Sequence, residues 1–488
     1  MMSYSSNKQD VIVIGGGISG LATAWYLAKS GLSVQVWEKS HHCGGKIKTD
    51  NINGFQTEQA ASMVMNFKPE VDNFFNETGL QSLKSQRLLN SESQRYLIQQ
   101  GKLQALPMTI HKLFLSSLWS HSGKLKLLME PFISKGSNPN ESVSEFITRR
   151  FGSEFLEKAM EPFISGTLAS DPDKACARYV IPRLTALERK YGSITAGIIM
   201  HKILRKRTAR NPESFSFQQG MQTITQQLAD DPELGLQANY QVEKIIRHNT
   251  KNGQRHWEVQ AQTPYGDIQC KAHHVVIASP AENAAQLIEP LNHQLGDLLS
   301  SIEYAPLSVV HLGFEKSAIK HPLNSAGFLV PRQEKMSING NLWMSSLFAD
   351  KAPQNHVLLS SYLGGARHPE MIHLSEQESV DEVLKNIKPL LGIHSSPVMA
   401  KVNKHYQALP LYHGNYHQKL TAIEEQLKTL SGIHLEANYK GGVSIRDRIV
   451  SAKNTAENII QQCSVEHQST SASLFNPLSL NPIIEKPA

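Results

Sequence analysis

Asp10-Val-Ile-Val-Ile-Gly-Gly-Gly-Ile-Ser-Gly20 decides the fold of this chain. The apolar, β-branched residues before Gly15 have the pattern of a strand buried on both faces. Leu21 to Ala28 carry a helical apolar face, and Leu32 to Trp37 read as a second strand closed by an acid, Glu38. Strand, glycine turn, helix, strand and acid, in that order, form the dinucleotide-binding fingerprint in its required context. Gly15 permits the tight turn, Gly17 lets the backbone approach a pyrophosphate, and Gly20 lets helix and sheet pack closely. The helix start at Ile18 and Ser19 offers free amides and a positive dipole end to the phosphates. Glu38 is expected to take the ribose hydroxyls.

The residues after Glu38 choose between nucleotides. Lys39-Ser-His-His-Cys-Gly-Gly-Lys46 places a second glycine pair, ending in Gly45, and a cation, Lys46, just past the ribose acid. This resembles the FAD-binding start of the flavin amine oxidase superfamily, in which the cation lies near the pyrophosphate. The expected cofactor is therefore FAD rather than NAD.

A chain of 488 residues has room for two or three domains. The net charge is +6, with 49 basic residues scattered among 43 acidic ones, a balance that argues against a nucleic-acid partner. Cys43, Cys176, Cys270 and Cys463 are far apart and form no Cys-x-x-Cys pair, and the 21 histidines lack a metalloprotease spacing. No metal site is expected, and a reducing compartment fits. Met1 to Lys8 lacks the apolar core of a secretory signal, and no stretch reaches the roughly 18 to 20 apolar residues of a span. A cytoplasmic chain is expected, with peripheral contact on the inner face of the membrane left open.

The pattern along the chain predicts an α/β protein: a Rossmann-like FAD-binding domain, discontinuous in sequence, with a mixed-sheet substrate domain and a helical insert. The FAD-binding parts are residues 8–92, 211–300 and 431–463. Residues 93–210 hold a substrate-domain hairpin and the insert, residues 301–430 the mixed sheet, and 464–488 a disordered tail. Within the sheet, strands are expected at Leu307–Phe314, Gly327–Val330, Leu342–Phe348 and His356–Leu363. The insert carries Ile110, Leu113, Phe114, Leu118 and Trp119, then Leu125, Leu127, Leu128 and Met129, with Lys112, Lys124 and Lys126 between them. Such a pattern suits either an amphipathic helix on its own domain or a bilayer interface.

Three segments are more specific: Arg95-Tyr-Leu-Ile-Gln-Gln-Gly-Lys-Leu-Gln-Ala-Leu-Pro107, Met160-Glu-Pro-Phe-Ile-Ser-Gly-Thr-Leu-Ala-Ser170 and Leu435-Glu-Ala-Asn-Tyr-Lys-Gly-Gly-Val443. In that order, they resemble the protoporphyrinogen oxidase family of flavoenzymes. The resemblance implies oxidation of protoporphyrinogen IX or coproporphyrinogen III to the porphyrin in haem biosynthesis, with molecular oxygen as acceptor; a homodimer stays open. It implies that Arg95 anchors a propionate of the tetrapyrrole and that Gly166 lies against the substrate near the flavin. Val242, Tyr439, Gly442 and Val443 would complete the FAD site. Leu329, Trp343 and Tyr362 align with apolar positions that sandwich the macrocycle, or are core residues instead.

One departure follows Glu58, where Gln59, Ala60 and Ala61 stand in place of the family's glycine with proline or alanine. The flavin-facing loop could therefore follow a different path. No Ser-His-Asp or paired-carboxylate signature is present, in keeping with hydride loss from a meso carbon whose cation the pyrroles delocalise. Other readings are an amine oxidase, for which Tyr406 and Tyr439 would supply an aromatic cage, a carotenoid-type desaturase, and a catalytically silent tetrapyrrole-binding relative.

Overall fold

In a computed structural model, the structure describes residues 8–89, 95–106, 116, 118–204, 212–249 and 255–474. The chain opens with β1 (Lys8–Ile14), helix α1 (Ile18–Lys29) and β2 (Val34–Glu38). Val11, Ile12 and Val13 are wholly buried, as a central parallel strand requires. A hairpin follows, β3 (Thr49–Ile52) and β4 (Phe55–Glu58), then β5 (Val64–Asn66) and β6 (Lys84–Gln86). A second hairpin is β7 (Tyr96–Gln99) and β8 (Lys102–Ala105), turned at Gly101 with φ +69°.

After the helical insert, β9 (Glu213–Phe217) pairs with β5 and β6. The chain then rejoins its first sheet through β10 (Gln237–Ala238), β11 (Gln241–Asn249), β12 (Arg255–Thr263) and β13 (Gly266–Ile277). The order is β10-β2-β1-β13-β12-β11, with β1 parallel to both β2 and β13. The carboxyl end of β1, where the order reverses, is the topological switch point at which open α/β sheets bind ligands.

The second sheet contains β14 (Tyr304–Glu315), β15 (Gly327–Leu329), β16 (Ile338–Trp343), β17 (His356–Gly364) and β18 (Met399–Pro410). Its order is β18-β14-β17-β16-β15-β7-β8. β19 (Ile433–Leu435) returns to β13. Alternation gives this second sheet two distinct faces. On the back, Leu312, Leu359, Leu363 and Trp343 pack with Val383 and Ile387 of the helix Glu376–Leu391. On the front, Leu97, Leu329, Gly340, Tyr362, Val309 and Asn403 stand in one cross-strand row.

The insert has its own small core, in which Val143, Phe146 and Ile147 meet Ile164 and Ile194. Arg150, fully buried between Glu130 and Glu188, ties its helices together. Leu118 and Trp119 are buried, whereas Ile110, Leu113 and Phe114 lie outside the described residues. Among the described residues, no helix is long and apolar enough to cross a membrane.

Two expectations about local structure fail. Leu342–Phe348 is not a strand: β16 ends at Trp343, and Met344–Leu347 form a helical turn that buries Met344, Leu347 and Phe348 against Phe55. A short apolar run carries no period that separates the two cases. The last helix runs from Ile445 to Leu474, so Ser464 to Leu474 of the expected tail is helical rather than disordered, and residues 475–488 lie outside the described residues. No glycine or proline occurs in that stretch to stop a helix already nucleated.

Candidate active site

At the switch point the backbone of α1 meets that of β1 with no side chain between them. A Cβ on Gly20 would lie 2.0 Å from the Gly15 carbonyl oxygen, and Gly15 itself has φ +109°. At Gly17 the opposite holds, for a Cβ there meets nothing within 4 Å. Gly17 caps α1 without a side-chain hydrogen bond, and the first turn holds no acid. The amides of Ile18 and Ser19, at the positive end of the helix, have no acceptor among the described residues. Glu38 is buried: Oε2 accepts from Gly16 N at 2.7 Å and Oε1 from Ser40 N at 2.8 Å. Each carboxylate oxygen keeps a lone pair for a hydroxyl donor.

A second loop is latched onto the first. Gly44 N donates to Gly16 O at 2.8 Å, and Gly44 and Gly45 have φ +115° and +60°. Gly45 and Lys39 are exposed beside it. Lys46, expected at the pyrophosphate, turns instead to strand β18, donating to Ala408 O at 2.8 Å and to Gln407 O. No carboxylate pairs with it among the described residues, so its flexible arm reaches the nearest carbonyls. Burial lowers its ammonium to about 8.

The C-terminal segment closes the cradle. It is pinned by side chains because it has little regular structure: Tyr412 donates to Asn438 O, Tyr416 to Tyr439 O, and Arg448 to Ala437 O and Lys440 O. Gly442 has φ +105°, and Val443 packs against the core of the first sheet. Val242 lies two residues past Tyr240, whose N–H donates to Glu38 O. The Tyr439 hydroxyl and Ser279 Oγ, whose backbone N–H neighbours Gly15, are buried with no partner among the described residues. An uncapped helix, an open glycine, a buried carboxylate with free lone pairs and orphaned hydroxyls fit a dinucleotide cofactor.

The loop after β4, expected to face the flavin, is held by residues that the expected site did not include. Glu58 is buried, accepting from Thr49 Oγ1 at 2.7 Å, Met221 N at 3.0 Å and Lys351 Nζ at 3.3 Å. Burial pushes its carboxyl up, against the pull of Lys351. Gln59 keeps an ordinary negative φ, and its amide side chain donates to Asp50. His311 Nε2 donates to Glu58 O at 3.0 Å while Nδ1 accepts from Ser360 Oγ at 2.8 Å. His405 Nε2 donates to Gln59 O at 2.7 Å. No local signal marks these histidines, because the loop carbonyl each one holds lies hundreds of residues away.

The front face of the second sheet receives most of the expected substrate residues. Leu329 and Tyr362 flank Gly340 in the cross-strand row. Gly166, in the helix Glu161–Leu168, packs so closely that a Cβ on it would be 2.4 Å from Leu329 Cδ2. Arg95, exposed and two residues before Leu97, shares that face by alternation. Trp343 does not. It is fully buried on the back, 4.9 Å from His321 ring to ring, and a one-residue change of phase puts Leu342 on the front in its place.

The fold and the cradle define an FAD-dependent oxidoreductase. Residues 18–460 match the flavin containing amine oxidoreductase family. Protoporphyrinogen oxidase 2, chloroplastic/mitochondrial, of Arabidopsis thaliana is 31% identical over 92% of this chain and 93% of its own. Coproporphyrinogen III oxidase of Bacillus subtilis is 26% identical over 92% and 97%. A solved structure from Exiguobacterium sp. 255-15 superposes with TM-score 0.76 at 21% identity, covering 94% of this chain and all of that one. The chain belongs to the flavin containing amine oxidoreductase family, and within it to the protoporphyrinogen oxidase group.

Gly17→Ala and Gly20→Ala should separate cofactor binding from folding. Gly17→Ala should leave the unfolding free energy of the cofactor-free protein within about 0.5 kcal/mol of wild type, yet lose FAD in a fluorescence titration. Gly20→Ala should itself destabilise that protein by roughly 3 kcal/mol. Equal midpoints for the two variants would contradict this division.

His311 predicts a pH dependence. Burial drives its imidazole from 6.5 down to about 4. Between those values the unfolded chain binds the extra proton, so the stability held by neutral His311 is whole above pH 6.5 and drains away toward pH 4. The loss is on the order of 3 kcal/mol. His311→Gln keeps a donor for Glu58 O without that titration. Its unfolding midpoint should fall less steeply than wild type over this range, and parallel curves would refute the assignment.

Proposed function

We propose that this chain oxidises a porphyrinogen, protoporphyrinogen IX or coproporphyrinogen III, to the porphyrin in haem biosynthesis. The observation that carries the reading is the front face itself, where Arg95, Leu329, Gly340 and Tyr362 share one surface beneath Gly166. The names of the relatives support it. When bound, FAD supplies repeated two-electron, hydride-accepting chemistry, with molecular oxygen as final acceptor.

The chain's own residues bind and orient. Arg95 is solvent-exposed and pairs with no carboxylate among the described residues, so its guanidinium is available to a propionate. The Gly166 carbonyl lies in the last turn of its helix, where no intrahelical amide reaches it, and suits a pyrrole N–H. Leu329, Leu342 and Tyr362 supply apolar wall. Gly15, Gly17, Ile18, Ser19 and Glu38 hold the adenosine and pyrophosphate end. No base is required at the meso carbon, and the buried His311 and half-buried His405 are occupied by backbone carbonyls. Tyr406 stands on the surface and Tyr439 is buried, so the cage needed by an amine oxidase is not assembled from that pair.

The insert exposes Leu125, Leu128, Met129, Phe132, Ile198 and Ile199, with Lys124 and Lys126 nearby. Apolar groups with flanking lysines fit a bilayer interface. The protein should co-float with liposomes, and a protein that stays wholly in the aqueous fraction removes this contact.

Porphyrin fluorescence on both porphyrinogens tests the activity. Arg95→Leu should raise KM roughly tenfold to a hundredfold with FAD content unchanged. A flavin-loaded protein inert towards both substrates would leave only a flavoprotein.

A further inference from the structure

Strand β18 touches both loops of the cofactor cradle. Its carbonyls at Gln407 and Ala408 take Lys46 from the Gly44–Gly45 turn, and its His405 takes the carbonyl of Gln59. The strand is itself paired along its length with β14, which carries His311. Two histidines on neighbouring strands thus hold two consecutive carbonyls, Glu58 O and Gln59 O.

The consequence follows from peptide geometry. All described peptide bonds are trans, so the C=O and N–H of one peptide unit point in opposite directions. In the Glu58–Gln59 unit the oxygen faces His311, and the opposed Gln59 N–H is used, donating to Lys48 O at 2.9 Å. In the Gln59–Ala60 unit the oxygen faces His405, but the opposed Ala60 N–H has no acceptor among the described residues. Ala60 is only partly buried, so that amide is not sealed in the core. A carbonyl that accepts a hydrogen bond also polarises its own amide and strengthens the donor on the far side.

We infer that His405 is a positioning residue, which holds and polarises the Gln59–Ala60 peptide so that the Ala60 N–H is presented to the isoalloxazine. The inference rests on the reading of Gln59 to Ala61 as the flavin-facing loop. It also accounts for the departure at Gln59. Where a glycine would leave the loop free, Gln59 ties its side chain to Asp50 and His405 sets the peptide plane. Burial, with Lys46 close by, lowers the His405 imidazole and keeps it a neutral donor.

Hydrogen–deuterium exchange of the intact wild-type protein, with and without FAD, tests the placement without any substitution. FAD should slow exchange in the segment around Ala60. His405→Leu should bind FAD roughly three- to tenfold more weakly, and its bound flavin should be reduced at a lower potential, because a weakened donor stabilises the electron-rich form less. His405→Gln, whose amide can still donate to Gln59 O, should restore most of both. A purely structural role would lower the melting temperature and leave the flavin potential unmoved. If the segment exchanges equally with and without FAD, or a folded His405→Leu keeps the wild-type potential, the inference is overturned. Should His405→Leu fail to fold, the exchange comparison and His405→Gln still decide. A wild-type chain that takes up no FAD would defeat the cofactor reading instead.

Discussion

At the cofactor end two backbones meet directly, where a Cβ on Gly20 of α1 would collide with the carbonyl oxygen of Gly15 and no side chain fits. That contact fixes the height of α1 over the sheet, and with it the direction in which the first-turn amides point. Glu38, buried at the end of β2, then locks the turn by accepting from Gly16. Everything at the cofactor end follows from this arrangement. The second glycine loop hangs from Gly16 O, and the C-terminal segment arrives beside the same strand ends through β19 and Glu436, whose N–H donates to Ile277 O.

The substrate end depends on a different constraint, the alternation of a single sheet. One face is filled by a helix and is dry and apolar; the other is left for the insert's glycine-bearing helix and whatever lies beneath it. Leu329 and Tyr362 face one way and Trp343 the other because strand residues alternate, and no property of a tryptophan overrides that. Glu161 fixes the helix in turn, its carboxylate accepting from Arg332 N and from the Arg367 guanidinium. Gly166 is thereby set against Leu329 from above.

The parts of the fold that were legible in the sequence are those written in neighbouring residues. Val11 to Ile14, the glycine turn, α1 and Glu38 form one contiguous statement, and the Gly101 hairpin another. What escaped is whatever depends on phase or on distance. Trp343 could be read either as macrocycle wall or as core, and only the phase of its strand, which turns it to the back, decides for the core. His311 and His405 escaped because their partners are 253 and 346 residues away, and a histidine in a strand looks the same whether it holds a loop or fills a core. Lys46 shows a third limit: spacing located its loop but not the direction of a long flexible side chain.

The order of strands in the first sheet bears on how the chain is made. β1 is translated first, yet its neighbour on one side, β13, begins at Gly266, and β19 beyond that begins at Ile433. A nascent polypeptide can therefore pair β1 with β2 early, but must carry the other apolar edge of β1 uncovered while hundreds of residues are synthesised. Such long-range parallel pairing is slow and exposed to aggregation. Productive maturation of this protein in a cell is thus a matter of keeping Val11 to Ile14 shielded until β13, which ends at Ile277, has left the ribosome.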